Sequence, residues 1–527
     1  MKKISIIGCL LFAVVSTFAQ PGWVKNASRS VFTLKTFAAD GSLIASSNGF
    51  FTGTNGEAVS NFTPFKGAAR AVVIDAQGKE LQVAGILGAN DMYDVVKFRV
   101  SNVKSQPLAI SSTIAPVGSV AYLLPYHEVK AVKSGPVRKA ETFQGNNPYY
   151  TVALSMGENQ VSCPLLNASG QVIGMMQQPA VLGDSLSYAV SASFADSLKI
   201  TGLTFNNETL RLTQVKKLLP TDIKEATLVL YFAGSRVDSA QYVSLIRDFI
   251  QQFPNAPEGY MYRAQQETLA GDFSGAEHDM EQALKLANPK DDAHFNYARM
   301  IYNKEIFQSA QPYAGWSLEK ALQQIQAANA LNAQPTYRQL EANIRFAMKQ
   351  YQEAYDIYQG LLSTNLRSAE ISFAAARCKE MQKDTTAMLA LMDSTIAMFS
   401  RPYLKEIAPY LWARAEARRN AGLYRDAVSD MNEYETLMTA TVNDNFYYIR
   451  HQVEIQGRLY QQALNDINRA IQMNPNEILY YAEKASLEIR VGLYDQAIAT
   501  AKECIALDPS NSDGHLFLGL ARSGLQM

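Results

Sequence analysis

Cysteine and histidine are scarce, four and five in 527 residues. Past the first apolar stretch only Cys163, Cys378 and Cys504 remain. An odd, widely spaced set does not make a disulfide framework, and the three read as small buried apolar side chains. His278, His294, His451 and His515 have no ligand partner three or four residues away, so no metal site and no cofactor is expected. No glycine-rich loop follows a strand to cradle phosphate, and no basic run interleaved with aromatics suggests nucleic acid. The formal net charge of -1 gives no electrostatic reason to bind nucleic acid or an anionic membrane. After the N-terminus, no apolar run approaches the roughly 18 residues of a membrane helix.

What is present is length and pattern. A chain of 527 residues exceeds one ordinary core, so two to four domains are expected. Lys2 and Lys3 precede an apolar run from Ile4 to Val15, and Ser16-Thr17-Phe18-Ala19 ends on a small residue. That is the layout of a secretory signal, residues 1–19, cleaved after Ala19. Ile6-Ile7-Gly8-Cys9 has the look of a lipoprotein box, but the eight residues before Cys9 are too few to cross a translocon. Export to a periplasmic or extracellular space is therefore expected.

Residues 22–200 read as short strands with frequent turns. Val31 to Thr36 alternates at period two, and Asp40-Gly41 and Gln77-Gly78 mark hairpins. Gly49-Phe50-Phe51, Ser60 to Pro64, Asp91 to Val96, Val117-Gly118 with Leu124-Pro125, Ser134 to Val137 and Tyr188 to Ser191 follow one another in order. With Pro164-Leu165, Asn167, Gly170 and Val172-Ile173-Gly174, this series resembles the trypsin-like serine proteases, most closely their secreted HtrA-like branch. The resemblance implies an all-β trypsin-like double β-barrel. It also aligns the positions of the catalytic triad. The histidine position is Thr63, the aspartate position is Asp94, and the serine position is Val161.

A triad needs a nucleophile, a base to take its proton and an acid to orient the base. Thr63 is no base at neutral pH, and Val161 has no lone pair to attack with. In a comparable protease, losing either member costs about 10⁶ in turnover. No catalytic residue is therefore expected. Asn159 stands at the oxyanion glycine and tolerates positive φ, so part of that hole is expected to survive. Two relocated nucleophiles stay open as alternatives: Ser162, displaced by one residue, and Cys163 acting with His127.

Beyond residue 200 the period changes to 3.6. Glu208 to Leu219 reads as a linker helix within 201–221, stopped by Pro220, and Asp222 caps the next helix. No G-L-G-F-type loop marks the PDZ domain that active HtrA-like enzymes carry. Residues 222–527 repeat instead. Gly422-Leu423-Tyr424-Arg425-Asp426-Ala427 recurs as Gly492-Leu493-Tyr494-Asp495-Gln496-Ala497, which resembles the tetratricopeptide (TPR) signature. Alanines at 240, 276, 321, 354, 387, 427, 463 and 497 stand 36, 45, 33, 33, 40, 36 and 34 residues apart, close to the TPR period of about 34. The resemblance implies about eight repeats, several degenerate, in an all-α solenoid closed by a capping helix from Gly514 to Leu525.

The first helix of each repeat lines the concave groove of such arrays. Register from the alanines places Gln265, Asn343, Trp412, Glu416, Arg419, Tyr448 and Gln452 on that surface. Polar and aromatic groups there suit an extended peptide or a partner helix. A non-catalytic protein-binding scaffold is expected, with two alternatives: a peptidase using Ser162 or Cys163, and a barrel that only positions the repeats.

Overall fold

The computed structural model of the chain describes residues 20–127, 132–179, 181 and 183–526. The expected signal segment, with its expected cleavage after Ala19, lies outside the described residues. After a short helix α1 (Val24–Ala27) come β1 (Val31–Phe37), β2 (Leu43–Phe51), β3 (Glu57–Ser60), β4 (Arg70–Ile74), β5 (Glu80–Asn90) and β6 (Val95–Val100). They close into an antiparallel barrel in the order β1-β2-β3-β6-β5-β4. β7 (Val120–Leu123), β8 (Lys133–Phe143), β9 (Asn147–Val152), β10 (Pro164–Leu166), β11 (Val172–Met176) and β12 (Ser187–Ser191) close a second one, β10-β11-β12-β9-β8-β7. The expected turns are there, with Gly41 and Gly78 at φ +86° and +80°. The first barrel is filled by aromatics: Phe32 packs on Phe51 at 4.9 Å and on Phe98 at 6.0 Å between ring centroids. Gly49 is required beside them, since a Cβ there would meet the Val59 carbonyl at 2.5 Å and the Phe32 ring at 2.6 Å.

Helices α2 (Ala192–Ser197) and α3 (Glu208–Arg211) follow, and here the sequence reading needs correction. The linker helix predicted from Glu208 to Leu219 stops at Arg211. The Gln214 and Val215 amides instead donate to the Ala68 carbonyl at 2.8 and 3.1 Å, and residues 216–218 pair with β5: the Ile86 amide donates to the Lys216 carbonyl at 2.7 Å, and the Leu218 amide donates to the Ile86 carbonyl at 2.9 Å. Gly85 permits this approach, because a Cβ there would stand 2.5 Å from the Lys216 carbonyl. Val215 and Leu219 are buried in the barrel core. Tertiary packing overrides a helical pattern that is only local.

The chain divides into two compact units, one through Gln266 and one from Glu267, not at the change of period near residue 221. The first unit takes in α4 (Ile223–Ala233), α5 (Ser239–Gln252) and most of α6 (Pro257–Ala270). Ala226, Val229 and Leu230 of α4 and Leu245, Ile246 and Phe249 of α5 share one apolar cluster with Phe32, Leu34, Ile86 and Phe98 of the first barrel. Asp222 caps α4 as expected, accepting from the Glu225 amide at 3.0 Å.

The second unit is helical throughout. It contains α7 (Phe273–Leu286), α8 (Asp291–Phe307), α9 (Leu318–Leu331), α10 (Pro335–Ala347), α11 (Tyr351–Leu361), α12 (Ala369–Met381) and α13 (Thr385–Ile396). Then come α14 (Ala408–Asn420), α15 (Tyr424–Met438), α16 (Asp444–Gln456), α17 (Tyr460–Met473), α18 (Ile478–Arg490), α19 (Tyr494–Leu507) and α20 (Ser512–Gln526). From α8 on they pack as hairpins stacked in a solenoid-like array. Ala276, Ala321, Ala354, Ala427, Ala463 and Ala497 are fully buried, as are Ala342, Ala415 and Ala485 in the facing first helices. Small side chains here let two helix backbones cross closely.

Two of the expected anchors are displaced. Ala240 is exposed and Ala387 only half-buried. Every fully buried anchor lies four residues after its helix N-cap, for example Asp272 before Ala276 and Leu423 before Ala427. Counting four from Asp238 and Asp384 gives Tyr242 and Met388, and both are buried. In these hairpins a large side chain occupies the anchor site, so a search for alanine finds the wrong neighbour.

Candidate functional site

Asn61 links the loops that carry Thr63, Asp94 and Val161, the positions aligned with a triad by resemblance. Thr63 opens a short 3-10 turn after β3, Asp94 precedes β6, and Val161 follows the 3-10 turn Glu158–Gln160 that leads into β10. Asp94 Oδ1 accepts the Thr63 amide at 2.6 Å, and its other oxygen accepts from Asn61 Nδ2 at 3.4 Å. The Asp94 carboxylate is thus engaged by the Thr63 backbone. Val161 is 5% exposed and belongs to the apolar core of the second barrel with Val137, Tyr150, Leu154 and Ile173.

Ser162 is fully buried, with φ at +62°. Its hydroxyl donates to Asn61 Oδ1 at 2.9 Å and accepts the Asn61 amide at 3.0 Å. Ser47 also donates to Asn61 Oδ1, at 2.6 Å. Asn48 Nδ2 bonds the Asn159 and Val161 carbonyls at 2.9 and 3.1 Å. Side chains of the first barrel thus fasten the turn before β10 of the second.

The oxyanion expectation is not met in its predicted form. Asn159 sits inside the 3-10 turn, and the left-handed residue of this loop is Ser162. The Val161 amide points back at the Glu158 carbonyl at 3.4 Å, where an oxyanion would need it turned outward. Gln160, buried beside it, accepts from the Gly157 amide at 2.9 Å and from Lys133 Nζ at 3.3 Å, which fastens the turn. Cys163 is fully buried, and the His127 ring packs edge-on against Tyr126 at 4.1 Å.

The second candidate surface lies on the helical array. Arg419 of α14, Gln452 and Gln456 of α16 and Glu483 and Arg490 of α18 line one cleft of about 390 Å³. These are first helices of three successive hairpins. Glu416 pairs with Arg419 at 2.8 Å and lines a neighbouring cleft of about 330 Å³ with Arg377, Lys383 and Met388. Gln452 donates to the Tyr448 hydroxyl at 2.8 Å, and the Tyr448 ring lies 5.2 Å from Tyr480. Trp412 is engaged in packing, with its ring 5.2 Å from Tyr434 and 6.0 Å from Phe446. Asn343 accepts the Tyr358 hydroxyl at 2.6 Å. Gln265, in the first unit, is exposed. Ser486 completes the larger cleft; it precedes Ala497 by the same offset as Gln452 precedes Ala463, so the register already contained it.

Beneath this surface the hairpins share a buried ion pair. Arg414 reaches Asp430 at 2.6 Å, and Arg450 makes two bonds to Asp466 at 2.6 and 2.9 Å. Each arginine stands 13 residues before its anchor alanine and each aspartate three after it. Arg450 also bonds Glu435 at 2.7 Å. Glu454, 2% exposed, lies 3.9 Å from the same guanidinium. Burial, and then the neighbouring Asp466, push the Glu454 carboxyl well above the usual carboxylate range.

No family model matches the chain. Curated relatives match parts of the chain. The small glutamine-rich tetratricopeptide repeat-containing protein 2 of Saccharomyces cerevisiae is 36% identical over 63 residues, 12% of this chain and 18% of that protein. The human SGT1 homolog is 35% identical over 60 residues, 11% and 16% of the two chains. The DnaJ homolog subfamily C member 7 homolog of Dictyostelium discoideum is 20% identical over 289 residues, 52% of each. The helical hairpins resemble tetratricopeptide repeats. The chain spans about half or less of the length of these relatives. Among solved structures, the Rv3671c protease of M. tuberculosis in its active form is similar over 33% of this chain and 80% of that one, at 18% identity and a TM-score of 0.29. Among the described residues, no helix is long and apolar enough to cross a membrane.

Proposed function

We propose that the protein is a non-catalytic scaffold that holds protein or peptide partners on the first-helix surface of its TPR array. The observation that carries this reading is the cleft shared by Arg419, Gln452, Glu483 and Arg490. Three consecutive hairpins contribute to it, so a bound chain would be read along the array and not at one point. Its charged, open lining suits polypeptide. The chain's net charge of -1 gives no attraction to nucleic acid. The test is capture of partners from envelope extracts by the mature protein and by an Arg419→Glu/Arg490→Glu variant. Partners held by the wild type and lost by the folded variant support the reading; equal capture refutes it.

The absence of catalysis is supported by the apolar, buried Val161 and by the engagement of Ser162 with Asn61. A fluorophosphonate and an iodoacetamide reagent test it. Native-only labelling that disappears in Ser162→Ala or Cys163→Ala would establish a relocated nucleophile and end the scaffold reading. Export is part of the proposal, on the strength of the basic and apolar N-terminal pattern. Intact mass of the envelope-fraction protein is expected to begin at Gln20.

The continuous core between the first barrel, α4 and α5 favours a second reading, in which the barrel only positions the repeats. Thr63→Arg, an exposed substitution in the old cleft, separates the two. It abolishes partner capture if the cleft holds polypeptide and leaves it unchanged if the barrel is a mount.

A further inference from the structure

In the segment 213–217, after the Gln214 and Val215 amides, which both donate to the Ala68 carbonyl, the chain is paired on one side only at Lys217. Ile86 bonds the Lys216 carbonyl and the Leu218 amide, the pattern of a parallel bridge to Lys217. In that pattern the N–H and C=O of Lys217 itself are directed to the opposite edge. Neither has a partner among the described residues. Strand edges left open in this way accept added strands.

Beside the segment runs a groove of about 680 Å³, bounded on its far side by α5. Ligand sites fall in the range of roughly 300–1,000 Å³. Alternate residues of an extended chain point to opposite faces, yet Gln214 and Lys216 line the groove together with Thr213, Val215 and Lys217. The groove therefore meets this segment along its edge.

The lining is cationic. Arg211, Lys216 and Lys217 stand against a single carboxylate, Asp248. Lys216 is paired with Asp248 at 2.8 Å. Arg211 has no side-chain partner among the described residues, and Lys217 Nζ has only the Thr213 carbonyl, at 2.7 Å. Burial lowers the Lys217 pKa below the usual lysine value, as befits an ammonium group taken from water without a counter-ion. A ligand that supplied carboxylates would provide what the fold omits.

We propose that this groove binds an extended peptide bearing acidic side chains, which adds as a strand to the open edge at Lys217 and pairs its carboxylates with Arg211 and Lys217. The site lies wholly within the first unit and is independent of the TPR surface.

Fluorescence anisotropy of a fluorescein-labelled heptapeptide of alternating Val and Asp, with the full mature protein, tests it. The expected result is saturable binding that weakens at least tenfold for the Asn counterpart, for a backbone N-methylated Asp peptide, and for Arg211→Gln/Lys217→Gln. Ser244→Trp fills the groove from an exposed position on α5 and leaves the charges in place; it is expected to block binding while the far-UV circular dichroism stays unchanged. Arg419→Glu/Arg490→Glu is expected to bind as the wild type does. Equal affinity for the Asp and Asn peptides, no binding up to about 1 mM, or loss of binding in the TPR variant alone overturns the site. Unchanged affinity for the N-methylated peptide overturns the strand-addition geometry.

Discussion

Ser162 and Asn61 exchange two hydrogen bonds, hydroxyl to side-chain oxygen at 2.9 Å and amide to hydroxyl at 3.0 Å. One residue belongs to the loop after β3 of the first barrel, the other to the turn before β10 of the second. The pair fastens one barrel to the other, beside Thr63 and Val161.

Restoring the missing side chains should therefore not restore reactivity. Thr63→His/Val161→Ser is expected to label with fluorophosphonate no faster than the wild type. The Val161 amide remains bonded to Glu158 and Asn159 remains in its 3-10 turn, so no oxyanion site faces the new serine. Rapid native-only labelling of the double variant would show that the turn rearranges.

The fastening itself is measurable. Asn61→Ala keeps the backbone amide but removes the acceptor of the buried Ser162 hydroxyl and of Ser47, at a cost of about 1–3 kcal/mol. A lower urea midpoint for the first unit, with the helical unit unmoved, is the expected outcome. A coincident shift of both would mean that the units unfold together.

The anchor rule for the helical hairpins separates two alanines that look alike in sequence. Ala463→Leu forces a side chain between crossing helices and is expected to cost about 1–3 kcal/mol. Ala240→Leu, at an exposed site, should be near neutral. Thermal melts of the two variants read the difference directly.

Much of this was legible beforehand, and the failures have a common cause. Period-two alternation and the order of short motifs marked the double barrel, and the TPR period marked the hairpins. Ala240 and Ala387 misled because the anchor is a position relative to the helix start, and Tyr242 and Met388 fill it with bulk. Residues 213–219 misled because their helical spacing is real, but Gly85 and the edge of β5 offer a better use for the backbone. The fold of the turn before β10 was hidden for the same reason: Asn159 is the residue type that favours positive φ, yet Ser162 adopts it, and the bonds that hold the turn come from Asn48 and Asn61, over 100 residues away.

Arg450 sits among three carboxylates, Asp466, Glu435 and Glu454. Arg450→Met strips the buried Asp466 of its partner and is expected to cost about 3–5 kcal/mol. Arg450→Met/Asp466→Leu should recover most of that loss. If the double variant is no better than the single one, the remaining carboxylates dominate the site.

Glu454 sets a pH dependence with a definite sign. Its folded pKa is raised, so its contribution to stability is full below the unfolded value near 4.3 and is lost as pH rises through the folded one. Within that window the slope is about 1.4 kcal/mol per pH unit for one proton. His451, held neutral by burial and bonded to the Ala463 carbonyl, adds no charge to the cluster. The difference in urea midpoint between wild type and Glu454→Gln, followed from pH 5 to 9, is expected to grow in favour of the glutamine. A constant difference would mean that Glu454 carries no proton in the folded state.

The shared cluster of Phe32, Ile86, Ala226, Leu230 and Phe249 bears on how such a chain can be cut or recombined. A fragment ending at residue 200, or even at 221, would leave the first barrel with its apolar flank in water. A TPR array transplanted from residue 222 would carry two helices whose buried faces belong to something left behind. A gene fusion that divided the barrel from these helices would expose matching apolar faces on both pieces.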